Sequence, residues 1–259
     1  MKASISTVLR NVAAAAAIAA TGVGAAHAAT AAEQPSVVIV HGAFADGSDW
    51  AKVIPLLQAK GIKVTAVQNS LTSLADDVAA AKRAIENQPG KVVLVGHSWG
   101  GTVITEAGAG DKVASLVYVA AFAPDVGQAT SDLGKDLPPA PGITKLTVDK
   151  FGFASLSPAV LKENFAQDVP APHAAVMAAT QGPIAVKAFG EKTTVAAWKN
   201  HPSWYIVSKN DRMIQPDLER RFAKAIGAKT TELPTSHVPQ QSRPEDVAKV
   251  ILEAVAASK

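Results

Sequence analysis

Cysteine is absent from all 259 residues, so disulfide stapling and thiolate chemistry are both closed to this chain. Charge is sparse as well. Only 18% of residues are charged against 48% hydrophobic, a balance that excludes a disordered chain and demands a packed core. There is no charge run and no internal repeat, which removes polyelectrolyte tails and solenoids from consideration. The formal charge is only +3, and Lys2 and Arg10 near the amino terminus supply two of those charges. The remainder is too nearly neutral for a nucleic-acid surface.

Strongly apolar runs of membrane-spanning length are missing too. The longest candidate, residues 11–26, is mostly alanine, is broken by Gly22 and Gly24, and falls short of the roughly 20 apolar residues a span requires. With Lys2 and Arg10 before it and the small residues Ala26-His27-Ala28 after it, this run reads as a cleaved signal peptide over residues 1–28. A retained anchor would carry more leucine. Arg10 has no arginine beside it, so the general secretory route is expected over the twin-arginine one. Cleavage leaves a single domain at 29–259 without a stable membrane anchor, periplasmic or secreted. About 230 residues can bury one large core.

What is present is an alternation. Runs at 36–41, 62–67, 91–96, 114–122, 203–208 and 229–234 read as strands, the first four rich in β-branched residues and nearly continuously apolar. Between them, 48–60 gathers Trp50, Val53, Ile54 and Leu57 on one helical face, and 73–88 does so with Leu74, Val78, Ala81 and Ile85. A helix is expected over 215–226. Ser242 is the expected N-cap of the last helix, with Pro244 in its first turn and Glu245 three residues on. The pattern predicts an α/β fold: a six-stranded, mostly parallel sheet flanked by helices. Residues 124 to about 200 break the rhythm with eight prolines, short helical patches and a possible hairpin over 145–156. They are expected to form a helical cap inserted between the fourth and fifth strands.

The chemistry concentrates around "GHSWG" at 96–100. This stretch follows a buried strand and opens a helix, the context in which G-x-S-x-G lifts a serine hydroxyl on a strained turn. Ser98 then sits at the carboxyl end of the sheet and above a helix amino terminus, where developing negative charge is favoured. A serine needs a base. Five histidines follow residue 28: His41, His97, His173, His201 and His237. His237 lies in the loop after the last strand, at the same end as Ser98, and suits the chain order serine, acid, histidine. The acid is Asp211, past the fifth strand, or its rival Asp125, past the fourth; the loop of Asp211 neighbours that of His237. Oxyanion donors are expected from the Trp99 N–H and from the loop "HGAFADGSDW", where Gly42 allows close approach and Ala43 is the first candidate, Phe44 the second.

With "HGAFADGSDW", "GHSWGG", "NDRMIQP" and "SHVPQQSRPEDVA" in this order, the chain resembles the α/β-hydrolases. Within them it is most similar to the small esterase branch of plant methylesterases, hydroxynitrile lyases and their bacterial relatives. The resemblance spans nearly all of 29–259 and is strongest outside the cap. It implies hydrolysis of a small-molecule carboxylic ester with no cofactor and no metal, Ser98 acting as nucleophile, Asp211 as acid, His237 as base, and Ala43 and Trp99 as oxyanion donors. The hydroxynitrile lyases carry lysine directly after the histidine, where this chain has Val238, and a hydroxyl residue where it has Ala43. Lactonase and perhydrolase chemistry, a cofactor-free lyase, or a non-catalytic ligand-binding role remain alternatives on the same scaffold. Phe44, Phe122 and Met213 are expected to line an apolar pocket, with Phe151, Phe153, Met177 and Trp198 as candidate roof residues from the cap. No basic cluster suggests an anionic substrate.

Overall fold

The computed structural model describes residues 34–259, so the signal peptide expected over 1–28 lies outside the described residues. Six strands form one sheet: β1 (Ser36–Val40), β2 (Val64–Val67), β3 (Val92–His97), β4 (Val113–Val119), β8 (Ser203–Ser208) and β9 (Lys229–Leu233). Their spatial order is β2-β1-β3-β4-β8-β9, and every neighbouring pair is parallel. β1, β3 and β4 are the apolar interior of this sheet, and burial on both faces explains why their sequences run V-V-I-V instead of alternating. The two faces still separate by residue parity. Val38, Leu94, Tyr118 and Tyr205 join one buried cluster, while Val37, Val93, Val117 and Trp204 join the other.

Helices α2 (Leu74–Glu86), α3 (Trp99–Ala107) and α6 (Pro216–Ala225) cover the first face. The second is covered by α1 (Ile54–Gln58) and α8 (Pro244–Ala257), with the short α7 (Pro239–Ser242) leading into the latter. α2 begins where Ser73 Oγ accepts the Asp76 N–H at 3.0 Å, and its predicted apolar stripe of Leu74, Val78, Ala81 and Ile85 is buried. α8 buries Val247, Val250, Ile251 and Val255, each worth roughly 1.5–3 kcal/mol of transfer free energy.

Three local expectations are corrected. The helix expected over 48–60 divides into a 3₁₀ turn at Gly47–Trp50 and α1, because Asp46 caps the first turn and Pro55 opens the second. Ser242 does not cap α8. It ends α7, its hydroxyl has no partner among the described residues, and Arg243 takes the cap position without a side-chain bond. The fourth strand stops at Val119 instead of running to 122, because the chain turns at Ala120 with φ 42°. The Tyr205 hydroxyl holds this turn, accepting the Ala121 N–H at 3.2 Å and donating to the Ala121 carbonyl.

Between β4 and β8 the chain carries a mixed insertion, not a purely helical one. It contains the antiparallel strands β5 (Thr147–Val148), β6 (Phe153–Ser155) and β7 (Ile184–Ala185), and helices α4 (Pro158–Val160) and α5 (Ala171–Thr180). α4 runs directly into a π-helical turn at Leu161–Phe165. The hairpin expected over 145–156 is β5 and β6, with β7 added from thirty residues on. Ala154, Leu161, Phe165 and Ile184 belong to the same buried cluster as Leu94 and Tyr118, so the insertion shares the core of the sheet's first face.

Because Tyr205 is fully buried and its hydroxyl serves both groups of the Ala121 peptide, Tyr205→Phe leaves those groups unpaired. The expected loss of unfolding free energy is about 2 kcal/mol, read by urea denaturation. An unchanged midpoint would contradict the clamp.

Candidate active site

Ser98 joins the end of β3 to the start of α3, and it does so with φ 52° and ψ −120°, outside the ordinary regions for a side-chain-bearing residue. Space around it is the reason its neighbours are glycine. A Cβ on Gly42 would stand 2.7 Å from the Ser98 Cβ, and one on Gly100 would strike the Val40 carbonyl. The β1 end, the elbow and the first turn of α3 therefore touch through main chain.

The loop after β1 is fixed by His41. Its Nδ1–H donates to the Gly42 carbonyl at 2.8 Å, and its Nε2 accepts the Asn69 N–H at 2.9 Å. That pattern requires a neutral imidazole, and burial lowers its pKa accordingly. The Phe44 N–H is committed to the Gly182 carbonyl at 3.2 Å. The N–H groups of Ala43 and Trp99 have no protein acceptor among the described residues, and both residues line the cavity that Ser98 faces. This favours Ala43 over Phe44 as the second donor. The Trp99 indole is held from behind, its Nε1–H donating at 2.8 Å to the buried Asp77 carboxylate, whose pKa burial raises.

His237 and Asp211 come together through continuation of the last two strands: Lys209 N–H donates to Leu233 O at 2.8 Å, and Asn210 N–H to Thr235 O at 3.0 Å. His237 Nδ1–H then donates to Asp211 Oδ2 at 2.5 Å, with both side chains buried. Asp211 Oδ1 accepts the N–H groups of Met213 at 2.6 Å and Ile214 at 2.9 Å. With Nδ1 carrying the proton, Nε2 is left as the basic nitrogen on the cavity side. Ser98 and His237 line that one cavity; among the described residues no hydrogen bond joins Ser98 Oγ to the ring, a contact that commonly closes only with substrate bound. Asp125 lies apart. It is half-exposed and paired with Lys199 at 2.5 Å, which lowers its pKa.

Several supports escaped sequence reasoning because their partners are remote in the chain. The buried Asp49 carboxylate accepts from Gln240 Nε2 at 2.5 Å and Gln241 Nε2 at 2.8 Å, tying the loop after β1 to the segment after His237. His97 is fully buried and its Nε2–H donates to the His237 carbonyl at 2.8 Å; burial, reinforced by His237, keeps its pKa well below the usual value. Glu219 is buried behind Asp211 and accepts the Ser208 N–H at 3.0 Å. Burial and then the Asp211 charge raise its pKa well above the usual range, so it stays protonated.

The cavity measures about 460 Å³. Phe44, Phe122 and Met213 line it as the sequence suggests, together with Ile214 and Leu218. Its roof differs from expectation: it is Leu133, Leu137, Ile143 and Leu146 from the first part of the insertion. Phe151 is 74% exposed at the hairpin tip, Trp198 is turned to donate to the Pro124 carbonyl, and Met177 lines a separate small recess; none of them, nor Phe153, faces the cavity. The leucines of "SDLGKDLPP", Leu133 and Leu137, supply the apolar lining that the cap aromatics do not. Among the described residues no group of three or more His, Cys, Asp or Glu side chains is placed to hold a metal ion.

Comparison with known proteins identifies the family of the chain. The sequence profile of the alpha/beta hydrolase family matches residues 37–250, and the chain belongs to that family. It is 27% identical over 253 residues to the pyrethroid hydrolase of Sphingobium wenxiniae, covering 84% of this chain and 86% of that protein. It is 36% identical over 111 residues to methylesterase 2 of Arabidopsis thaliana, a match spanning 36% of this chain and 42% of the relative. The solved structure of a pyrethroid hydrolase from Sphingobium faniae shares the fold at a TM-score of 0.74 and 22% identity, over 86% of this chain and 98% of the other.

The Glu219 arrangement carries a pH signature. Below the usual glutamate value of 4.5, folded and unfolded chains both hold the proton. Above it the unfolded chain releases the proton while the folded chain retains it, so stability falls as pH rises toward the raised folded value. Glu219→Gln removes the titration. Its unfolding free energy relative to wild type should increase as pH rises above the usual glutamate value of 4.5. A difference that stays flat with pH would contradict a protonated Glu219.

Proposed function

We propose that this α/β-hydrolase cleaves a small carboxylic ester, with Ser98 as nucleophile, His237 as base and Asp211 as the orienting acid. The reading rests above all on one observation: the Asp211-bound imidazole of His237 opens onto the same apolar cavity as a serine held at positive φ. The names of its relatives, a pyrethroid hydrolase and a methylesterase, agree in reaction type.

In this mechanism Ser98 Oγ attacks the ester carbonyl carbon as His237 Nε2 takes the hydroxyl proton. The tetrahedral oxyanion accepts hydrogen bonds from the free Ala43 and Trp99 N–H groups. The alcohol departs with the proton from His237, and water repeats the sequence on the acyl-enzyme. Asp211 orients the ring and stabilises the imidazolium, while burial and the Asp211 charge raise the pKa of Glu219 behind it well above the usual range. Phe44, Phe122, Met213 and the leucine roof suit a neutral, apolar ester of modest size. Val238, buried directly after the base, supplies no cation for a leaving cyanide. Residues 1–28 serve in this reading as a removable export signal, delivering the enzyme to the periplasm or the medium.

Turnover of a 4-nitrophenyl ester series from acetate to octanoate tests the assignment. Ser98→Ala and His237→Ala should each lower kcat by roughly 10⁴-fold or more with the fold intact. Asp211→Asn should lose far more activity than Asp125→Asn. A Ser98→Ala protein that keeps most of the activity would refute the mechanism.

A further inference from the structure

The two loops that carry Asp211 and His237 meet each other, and they also meet a third segment from the insertion. α4, capped by Ser157, runs into the π-helical turn at Leu161–Phe165, a departure from α geometry that is frequent at functional sites. The turn brings Phe165, fully buried, edge-on to the His237 ring with 5.0 Å between centroids and 66° between planes. Two residues later, Gln167 Nε2 donates to the carbonyl of Asn210, the residue before Asp211, at 2.6 Å. Asp168 Oδ2 accepts the N–H of Ser236, the residue before His237, at 2.8 Å. The segment is also gripped from the other side, where Arg212 Nη1–H donates to the Glu163 carbonyl at 3.1 Å. Lys162 Nζ fixes the segment's own course by donating to the Val169 carbonyl at 2.6 Å.

We propose that residues 161–168 form a strap that sets the register of the acid loop against the base loop, with Gln167 and Asp168 as positioning residues for the Asp211–His237 pair. The need for such a strap follows from the site. Both loops extend past the carboxyl ends of β8 and β9, and the His237 ring must present Nε2 to Ser98 across the cavity that both residues line. A displacement of about 1 Å in such a geometry can cost 10²-fold in rate. Each loop is anchored by the strap at the residue immediately preceding its functional side chain. Of the two stretches of the insertion, 130–146 lines the cavity and touches only the acid loop, where Gly142 N–H donates to the Arg212 carbonyl at 2.8 Å, whereas 161–168 bonds both loops.

The inference rests on Ser98 being an activated nucleophile, so its test reads that activation without reference to the natural ester. The second-order rate of Ser98 labelling by a fluorophosphonate is measured on the full chain, with thermal midpoints and steady-state constants on 4-nitrophenyl acetate alongside. Asp168→Ala and Gln167→Ala should each slow labelling and lower kcat by about tenfold or more, with KM within about twofold. Asp168 is exposed and Gln167 half-buried, and neither belongs to the buried clusters, so the thermal midpoint should barely move. Asp168→Asn, which keeps an oxygen to accept the Ser236 N–H, should return labelling to within about threefold of wild type. Alanine variants that label at the wild-type rate, or an asparagine variant no better than alanine, would overturn the strap. Wild-type protein that resists the reagent would overturn the nucleophile reading, and the strap with it, an outcome distinct from variants and wild type labelling alike.

Discussion

Four stretches of backbone converge on Ser98 at contact distance, and nearly everything at the carboxyl end of the sheet follows from that convergence. The end of β1, the elbow, the first turn of α3 and the turn at Ala120–Phe122 are packed so closely that a methyl group on Gly42, Gly100 or Gly101 would overlap a neighbour. The Ser98 carbonyl accepts the N–H groups of both Gly101 and Phe122, at 2.9 and 3.2 Å. A residue held in an unfavourable φ region persists only where its surroundings over-determine it. Here the parallel register of β1, β3 and β4 provides that determination, and the free N–H groups beside the hydroxyl are a direct result.

Around this fixed point the charges are arranged sparingly. Buried acids recur: Asp49, Asp77 and Glu219 all have pKa values raised first by desolvation. Each meets side-chain or main-chain donors, so each acts as an anchor for a neighbouring segment: Asp49 for the loop after His237, Asp77 for the Trp99 indole, Glu219 for the end of β8. Asp211 differs in having the imidazole of His237 as its partner. Of these buried acids, only Asp211 is placed to meet the imidazole of His237.

Much of this was legible in the sequence, for identifiable reasons. Strand positions could be read because buried parallel strands are uninterrupted apolar runs, and 203–208 matches to the residue. Ser98 was legible because the elbow imposes glycine at defined offsets, and Asp211 and His237 because chain order follows sheet order. The supports were not. Asp49 with Gln240, and Asp168 with Ser236, pair across 191 and 68 residues, and no local pattern marks either. Ser242 misled for the opposite reason: a correct local capping pattern was overridden when α7 formed ahead of it. The cavity roof was misread because apolar leucines beside prolines resemble loop filler until the chain is seen to fold back over Met213 and Leu218.

Roof and proposed strap are separate stretches of one insertion, yet both reach the loop of Asp211. The stretch forming the roof ends at Leu146 and the strap begins at Leu161, with the β5–β6 hairpin and its exposed tip between them. Gly142 in the roof donates to the Arg212 carbonyl at 2.8 Å and Gln167 to the Asn210 carbonyl at 2.6 Å, one on each side of Asp211. Cavity shape and the placement of that carboxylate are therefore mechanically linked.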